Sequence, residues 1–99
     1  GVYLEDLCFQ AQQAVEKALK GLLLLRGARV PRTHNLAALF ALLDDSGMDI
    51  PLGVHATVRL TEYAVEARYP GLSEPVSDEE YRQALALAER CVAWARLQM

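Results

Sequence analysis

The sequence lacks the motifs of the common catalytic and metal-binding classes. It has no Gly-rich phosphate loop, no His-Glu-x-x-His and no Gly-x-Ser-x-Gly. Its two histidines, His34 and His55, lie on different predicted elements, and neither cysteine has a partner at ligand spacing, so we expect no metal and no cofactor. A thiol nucleophile at Cys8 is disfavoured, because Cys8 lies beside an apolar helical stripe.

The sequence is also poor in aromatic residues, long apolar runs and positive charge. Only 7% of residues are aromatic while 53% are hydrophobic, which indicates an aliphatic core. The net charge of −3 argues against a broad basic surface for nucleic acid and leaves room only for a local cationic patch. The leucine run 22–25 is too short to span a bilayer, and no signal or lipidation motif is present. We therefore predict a cytoplasmic chain, without membrane contact, whose two cysteines are buried free thiols.

No stretch alternates between apolar and polar residues as a strand does, and four stretches instead have helical periodicity. In the first, residues 4–26, apolar side chains recur at steps of three and four: Leu4, Leu7, Ala11, Ala14, Val15, Ala18, Leu22 and Leu25. Gly27 is placed to end this helix in the left-handed conformation. Further leucines widen the stripe beyond what one partner covers, so we expect this helix to contact two or three neighbours.

Three more helices are predicted after the first. Thr33 or Asn35 is expected to cap the second, the third is predicted from Pro51 onward, and the fourth begins with a capping box at Ser77. Short connections favour antiparallel neighbours. Residues 1–99 are therefore predicted to form one all-α domain, an up-and-down antiparallel four-helix bundle.

Seven polar residues at the helix edges are candidate ligand-binding residues. They are Gln13, Glu16, Lys17 and Lys20 on the flank of the first helix, His34 before the second, and Arg68 and Tyr69 after the third. Spacing by four predicts that Glu16 meets Lys20, and Gln13 meets Lys17, on the helix surface. In the predicted topology Lys20, His34 and Arg68 converge at one pole. The competing interpretation is a solvated helix face, a capping histidine and a tyrosine packed beneath a proline turn.

Three ordered blocks of the sequence resemble the HEPN domain, the higher eukaryote and prokaryote nucleotide-binding domain. The blocks are residues 12–20 (QQAVEKALK), residues 31–36 (PRTHNL), and Tyr63 with residues 67–70 (ARYP). The last helix adds a similar alternation of alanine and leucine, so the resemblance covers nearly the whole chain. Because the family typically has more helix ahead of this point, the resemblance implies a chain truncated before Gly1.

The resemblance implies a helical bundle that is often a homodimer. Prokaryotic members are commonly encoded with a minimal nucleotidyltransferase, as its substrate-binding partner or as the toxin of a toxin–antitoxin pair. We therefore expect a nucleotide- or substrate-binding subunit that partners a nucleotidyltransferase. In it Lys17, Lys20 and Arg68 would meet phosphate, Tyr69 would stack on the ligand, and His34 would donate a hydrogen bond or shuttle a proton.

Two alternatives stay open beside this expectation. Many toxin members of the family are metal-independent ribonucleases that cleave RNA, with an Arg followed late in the bundle by a His. No histidine follows His55, so the late helices cannot supply this pair. Arg29 and His34 have the order and spacing of the pair, but they lie on the linker between the first two helices. A binding subunit is therefore favoured over an enzyme. The other alternative is a structural homodimer without ligand, in which the leucine ridge 22–25 is buried between protomers.

Overall fold

The computed structural model describes residues 4–64 and 76–99, and all regular structure in these ranges is helical. Helix α1 spans Leu4–Leu25, α2 spans Leu36–Asp45, α3 spans Leu52–His55, a 3₁₀ helix spans Ala56–Ala64, and α4 spans Asp78–Gln98. The predicted all-α helical bundle is confirmed. Within the described ranges, no helix combines the length and the apolar character needed to cross a bilayer.

Helix α1 is the centre of the bundle and packs against α4, α2 and the 3₁₀ helix, as its wide apolar stripe predicts. Val15, Leu19 and Leu23 are completely buried. The buried residues of α4 are small and occur at helical spacing: Ala84, Ala88, Cys91 and Ala95. Small side chains on one of two packed helices let their axes approach closely, so the two longest helices form the main contact of the fold.

The leucine ridge 22–25 is divided between the core and the surface. Leu22 and Leu23 are at most 1% exposed, whereas Leu24 and Leu25 are each 67% exposed. Leu22 and Leu23 are therefore already buried within the protomer. The prediction that the whole ridge is buried between protomers is therefore wrong, and only Leu24 and Leu25 remain available for such a contact.

Both turns that follow α1 and α2 use a glycine in the left-handed region. Gly27 has φ of 73° and Gly47 has φ of 92°. The amide of Ala28 donates to the carbonyl of Leu23 at 2.9 Å, and the amide of Gly27 donates to Leu24 at 3.0 Å, which satisfies the last carbonyls of α1. The predicted glycine termination of α1 is confirmed.

The N-terminal caps resolve an alternative that the sequence left open. Asn35, not Thr33, caps α2, because its side chain accepts from the amide of Ala37 at 2.9 Å. Ser77 caps α4 by accepting from the amide of Glu80 at 3.1 Å, which confirms the serine half of the predicted capping box. Each cap satisfies an otherwise unpaired helix donor, which contributes roughly 1 kcal/mol of stability.

Helices α1 and α4 run in the same direction. The amide of Val76, just before α4, donates to the carboxylate of Glu5 at the start of α1 at 3.0 Å. At the other end, a Cβ placed on Gly21 would lie 3.6 Å from Met99 Cε. In the predicted up-and-down bundle α1 and α4 would run in opposite directions, so that part of the topology prediction is wrong, although the all-α helical bundle itself is confirmed.

The connection between α1 and α2 explains this arrangement. His34 lies opposite the middle of α1, since its carbonyl accepts from the side chain of Gln12 at 3.3 Å. The residue after α2, Ser46, accepts from the guanidinium of Arg26 at the end of α1, at 2.7 and 2.6 Å. The linker thus returns along α1, and α2 then advances in the same direction as α1.

The third predicted helix is confirmed as helical, but most of its described part is a 3₁₀ helix rather than an α-helix. Its buried residues, Val54, Thr57, Leu60 and Tyr63, recur every three positions, which is the repeat of a 3₁₀ helix. β-Branched residues in this segment lower its preference for an α-helix. The hydroxyl of Thr61 also connects the 3₁₀ helix to the start of α2, because it accepts from the amide of Leu36 at 3.1 Å. The end predicted for this helix lies outside the described residues.

Both cysteines are buried free thiols, as predicted. Burial raises the pKa of Cys91 to about 11. A thiol with such a pKa stays protonated at neutral pH, so Cys91 serves as an apolar core residue.

Candidate functional site

A polar cluster lies within the packed face of α1. Gln12 is completely buried and Glu16, one turn later, is 5% exposed. The Gln12 amide donates to Glu16 Oε1 at 3.1 Å and to the carbonyl of His34 at 3.3 Å. Gln13 donates in turn to Gln12 Oε1 at 2.8 Å. Buried polar atoms are tolerated when they are bonded in this way, and the bonds attach the linker to α1.

Glu16 receives two cationic or protonatable neighbours at the surface of the cluster. Lys20 Nζ lies 3.0 Å from Glu16 Oε2, and His34 Nδ1 lies 2.9 Å from Glu16 Oε1. Burial by itself raises the pKa of Glu16, but hydrogen bonds from His34, Lys20 and Gln12 outweigh it, so the pKa of Glu16 is lowered. Glu16 is therefore an anion at neutral pH.

The carboxylate of Glu16 orients the imidazole of His34. An ionised carboxylate can only accept, so Nδ1 of His34 carries the proton toward Glu16. The side chain of His34 is 67% exposed, which leaves the ring edge with Nε2 on the solvent side. A histidine held in this tautomer can accept a hydrogen bond at Nε2, or donate one when it is protonated.

The structure brings together some of the predicted site residues. Glu16, Lys20 and His34 form one bonded group, and Gln13 joins it through Gln12. The predicted contact between Glu16 and Lys20 is confirmed. The placement of Glu16 on a solvated flank is wrong, because the returning linker covers it.

The remaining predicted residues are less engaged with the cluster. Lys17 is exposed on α1 and Arg29 is exposed on the linker. Gln13 bonds to Gln12, and not to Lys17 as the spacing of four suggested. Arg68 and Tyr69 lie outside the described residues.

Arg68 could converge with Lys20 at one pole only if the third helix ran parallel to α1. The described part of that segment runs the other way. A Cβ on Gly53 would lie 3.0 Å from the Arg90 guanidinium, while the Tyr63 hydroxyl donates to Glu80 in the first turn of α4. The segment is therefore antiparallel to α4 and to α1. The premise of the convergence is wrong, and a contribution of Arg68 to the site remains a prediction.

The sequence interpretation missed Gln12, although a signal was present. Gln12 lies four residues after Cys8 and three before Val15, on the same helical row as buried apolar residues. A polar side chain in the middle of an apolar row needs a buried partner. Here the partners are Glu16, one turn away, and a backbone carbonyl 22 positions along the chain, which only the tertiary fold supplies.

Charge is segregated around this cluster. Residues 17–35 contain five of the ten Lys and Arg residues of the chain, and none of its 13 Asp and Glu residues. The five cations are Lys17, Lys20, Arg26, Arg29 and Arg32. Lys20 and His34 are brought together by Glu16, Arg29 and Arg32 are exposed on the linker that leads to His34, and Arg26 bonds to Ser46 at the end of α2. A chain of net charge −3 thus has one stretch, residues 17–35, that carries only positive charge.

A second polar centre lies between the 3₁₀ helix and α4. The buried Tyr63 hydroxyl donates to Glu80, and both residues line a cavity of about 230 Å³ together with Arg59, Glu62 and Gln83. Burial, Glu80 and Glu62 all raise the pKa of Tyr63, so the phenol stays neutral. Two carboxylates at this cavity disfavour an anionic ligand there.

Among residues 4–64 and 76–99, no three His, Cys, Asp or Glu side chains come close enough to hold a metal ion. No curated protein and no solved structure matches the chain. A family model, that of the HEPN domain, matches residues 1–98. The match covers nearly the full length and includes all the helices and the polar cluster described above. The chain belongs to the HEPN domain family.

Proposed function

We propose that the chain is a ligand-binding subunit that holds a nucleotide, or a similar anionic ligand, at the positively charged stretch 17–35. The observation that carries the proposal is the segregation of five cations and no acids over residues 17–35, next to a histidine fixed by a buried carboxylate. Phosphate groups are the anions that Lys and Arg bind best. The family match supports the proposal at the level of the HEPN domain.

Each polar residue has a part in this proposal. Lys17, Arg29 and Arg32 are exposed and offer their charges to phosphate. Lys20 is held by Glu16 at 3.0 Å, so its charge is partly compensated and it contributes less. His34 presents Nε2 to the ligand. Glu16 and Gln12 position His34 and do not contact the ligand.

Two partners complete the proposal. A nucleotidyltransferase that uses the bound nucleotide follows from the resemblance of the sequence blocks, within or outside a toxin–antitoxin pair. The subunit itself is proposed to act as a homodimer. Co-purification with a nucleotidyltransferase encoded beside it tests the first partner, and the mass of the chain in solution tests the second.

Isothermal titration calorimetry of ATP and GTP tests the ligand. Lys17→Ala and Arg29→Ala should each weaken binding about tenfold, since one charge-assisted hydrogen bond to phosphate contributes roughly 1.5 kcal/mol. Arg82→Ala is the matched control. Arg82 is exposed on α4, in a turn rich in acids, and its loss should leave the affinity unchanged.

Two outcomes would reject the proposed ligand. One is the absence of heat with either nucleotide at millimolar concentration. The other is equal weakening by Lys17→Ala and Arg82→Ala, which would indicate nonspecific attraction by charge.

A metal-independent ribonuclease is a second candidate, and one observation favours it. The arrangement of Glu16 with His34 Nδ1 at 2.9 Å is one that suits a general acid or base. Arg29, exposed five residues earlier, would then stabilise the phosphate that is attacked. Cleavage of single-stranded RNA in the presence of a metal chelator should be lost in His34→Ala. Cleavage that survives this substitution, or no cleavage by the wild type, excludes this candidate.

A further inference from the structure

Lys20, Glu16 and His34 form one bonded group, and its net charge depends on a single proton. Lys20 Nζ lies 3.0 Å and His34 Nδ1 lies 2.9 Å from the carboxylate of Glu16. The carboxylate is an anion at neutral pH, so its charge cancels that of the Lys20 ammonium. While the imidazole of His34 is neutral, the group therefore carries no net charge. A proton on His34 turns the group into a cation.

The orientation of the imidazole restricts what His34 can offer to an anion. Nδ1 of His34 donates to Glu16, so in the neutral ring Nε2 has only a lone pair. A fully ionised phosphate oxygen also has only lone pairs, and two acceptors cannot bond to each other. One proton between them, on Nε2 or on the phosphate, creates the missing hydrogen bond. Contact between His34 and a phosphate thus requires the entry of one proton.

Among the described residues near this group, His34 is the one whose charge changes around neutral pH. Histidine titrates between pH 5 and 8, whereas the ordinary pKa values of arginine, lysine and the carboxylic acids lie outside this range. The linker contributes the exposed Arg29 and Arg32. The 3₁₀ helix reaches the end of the linker through the uncharged Thr61, whose hydroxyl accepts from the amide of Leu36. A change of phosphate binding with pH over this range therefore reports the proton at His34.

We propose that a phosphate binds at His34 together with one proton, so that capture of the ligand takes up a proton at neutral pH. Phosphate binding and protonation are then linked equilibria, and each favours the other by the same factor. Because the proton enters on binding, the affinity for phosphate falls as the pH rises through the range in which histidine loses its proton. The inference rests on the proposed function, since it concerns the same anionic ligand.

Calorimetry of ATP in two buffers of different ionisation enthalpy counts the protons that are taken up on binding. At about pH 7.5 the wild type should take up about 0.5–1 proton per ATP more than His34→Gln, which stays polar but cannot carry the proton. By the same linkage, the Kd of the wild type should rise about three- to tenfold more than that of the variant between about pH 7 and pH 8. The terminal phosphate of ATP also titrates, but its titration in free ATP is the same in both experiments, so the difference isolates His34.

His55→Gln is the matched control. His55 is the other histidine of the chain, and its Nε2 lies 3.4 Å from Asp44 at the end of α2. This variant should take up as many protons as the wild type. Proton NMR gives a readout that leaves the site intact, because ATP should shift the ring resonance of one of the two histidines toward the position of imidazolium. The same shift should persist in His55→Gln.

The outcomes separate this inference from the proposed ligand. Equal proton uptake by the wild type and a folded His34→Gln, with ATP bound to both, would overturn the proton-linked contact and leave the ligand in place. A resonance shift that disappears in His55→Gln would overturn it as well, whether or not His34→Gln folds. A wild type that binds no ATP at about pH 6, where the linkage favours binding, would overturn the ligand and this inference together.

Discussion

Replacing Glu16 by glutamine should destabilise the fold by about 2 kcal/mol at neutral pH. The substitution keeps the size of the side chain but removes the charge that Lys20 and His34 bond to at 3.0 and 2.9 Å. Hydrogen bonds to charged groups contribute roughly 1.5–3 kcal/mol each. Since both partners are partly exposed and regain water, only part of that sum is lost. For a domain of this size, the expected loss lowers Tm by roughly 10 °C.

The effect of Glu16→Gln should depend on pH in one direction. The folded-state pKa of Glu16 is lowered, so its contribution is fully present above its unfolded pKa and disappears as the pH falls through the folded pKa. The stability difference between wild type and variant should therefore be largest near pH 7 and shrink below about pH 4. Urea denaturation followed by circular dichroism at both pH values measures this difference.

Glu79→Gln is the matched control, because Glu79 is an exposed carboxylate on α4. Its substitution should change the free energy of unfolding by less than about 0.5 kcal/mol. Equal stability of Glu16→Gln and wild type at pH 7 would refute the reasoning. So would a loss that is the same at pH 7 and pH 3.

Three further predictions concern the core and the helix ends. Leu23→Ala should cost roughly 2–5 kcal/mol while the neighbouring Leu24→Ala costs less than about 0.5 kcal/mol in urea denaturation, because only Leu23 is buried. Gly27→Ala should lower Tm, because φ at Gly27 is 73° and an alanine is strained in that conformation. Gly21→Ala should instead raise the free energy of unfolding by about 0.5–1 kcal/mol, because Gly21 lies inside α1 and a Cβ there meets only an ordinary contact. Cys91, with a pKa of about 11, should resist a thiol reagent at pH 8 in the native state and react at once in urea; rapid native labelling would contradict its burial.

The helices, the glycine that ends α1 and the cap of α4 could be predicted from the sequence, and the cap of α2 could be narrowed to two residues, because those features are local. Gly27, Asn35 and Ser77 act through their own backbone and that of the next few residues. The wide apolar stripe likewise identified α1 as the central helix. The 3₁₀ helix was predicted as an α-helix, although its local pattern differs. Its buried residues recur at every third position, which is the 3₁₀ repeat, whereas an α-helix alternates steps of three and four.

The candidate site could be predicted only in part, because its geometry depends on the path of the linker. Spacing alone paired Glu16 with Lys20. It did not show that His34 returns to the middle of α1, and this return is what buries Glu16 and Gln12. The same return makes α2 run parallel to α1, and the segment after α2 then runs antiparallel to α1. The predicted position of Arg68 assumed the opposite direction for both.

The linker between α1 and α2 is fixed to the bundle at both of its ends. Its first residue, Gly27, is fixed by the turn that ends α1, and His34 is fixed by its carbonyl and its ring. Arg29 and Arg32 lie between these anchor points and so sample far fewer arrangements than they would in a free loop. Preorganised cations lose less conformational entropy when they capture an anion, so more of the attraction is retained as affinity.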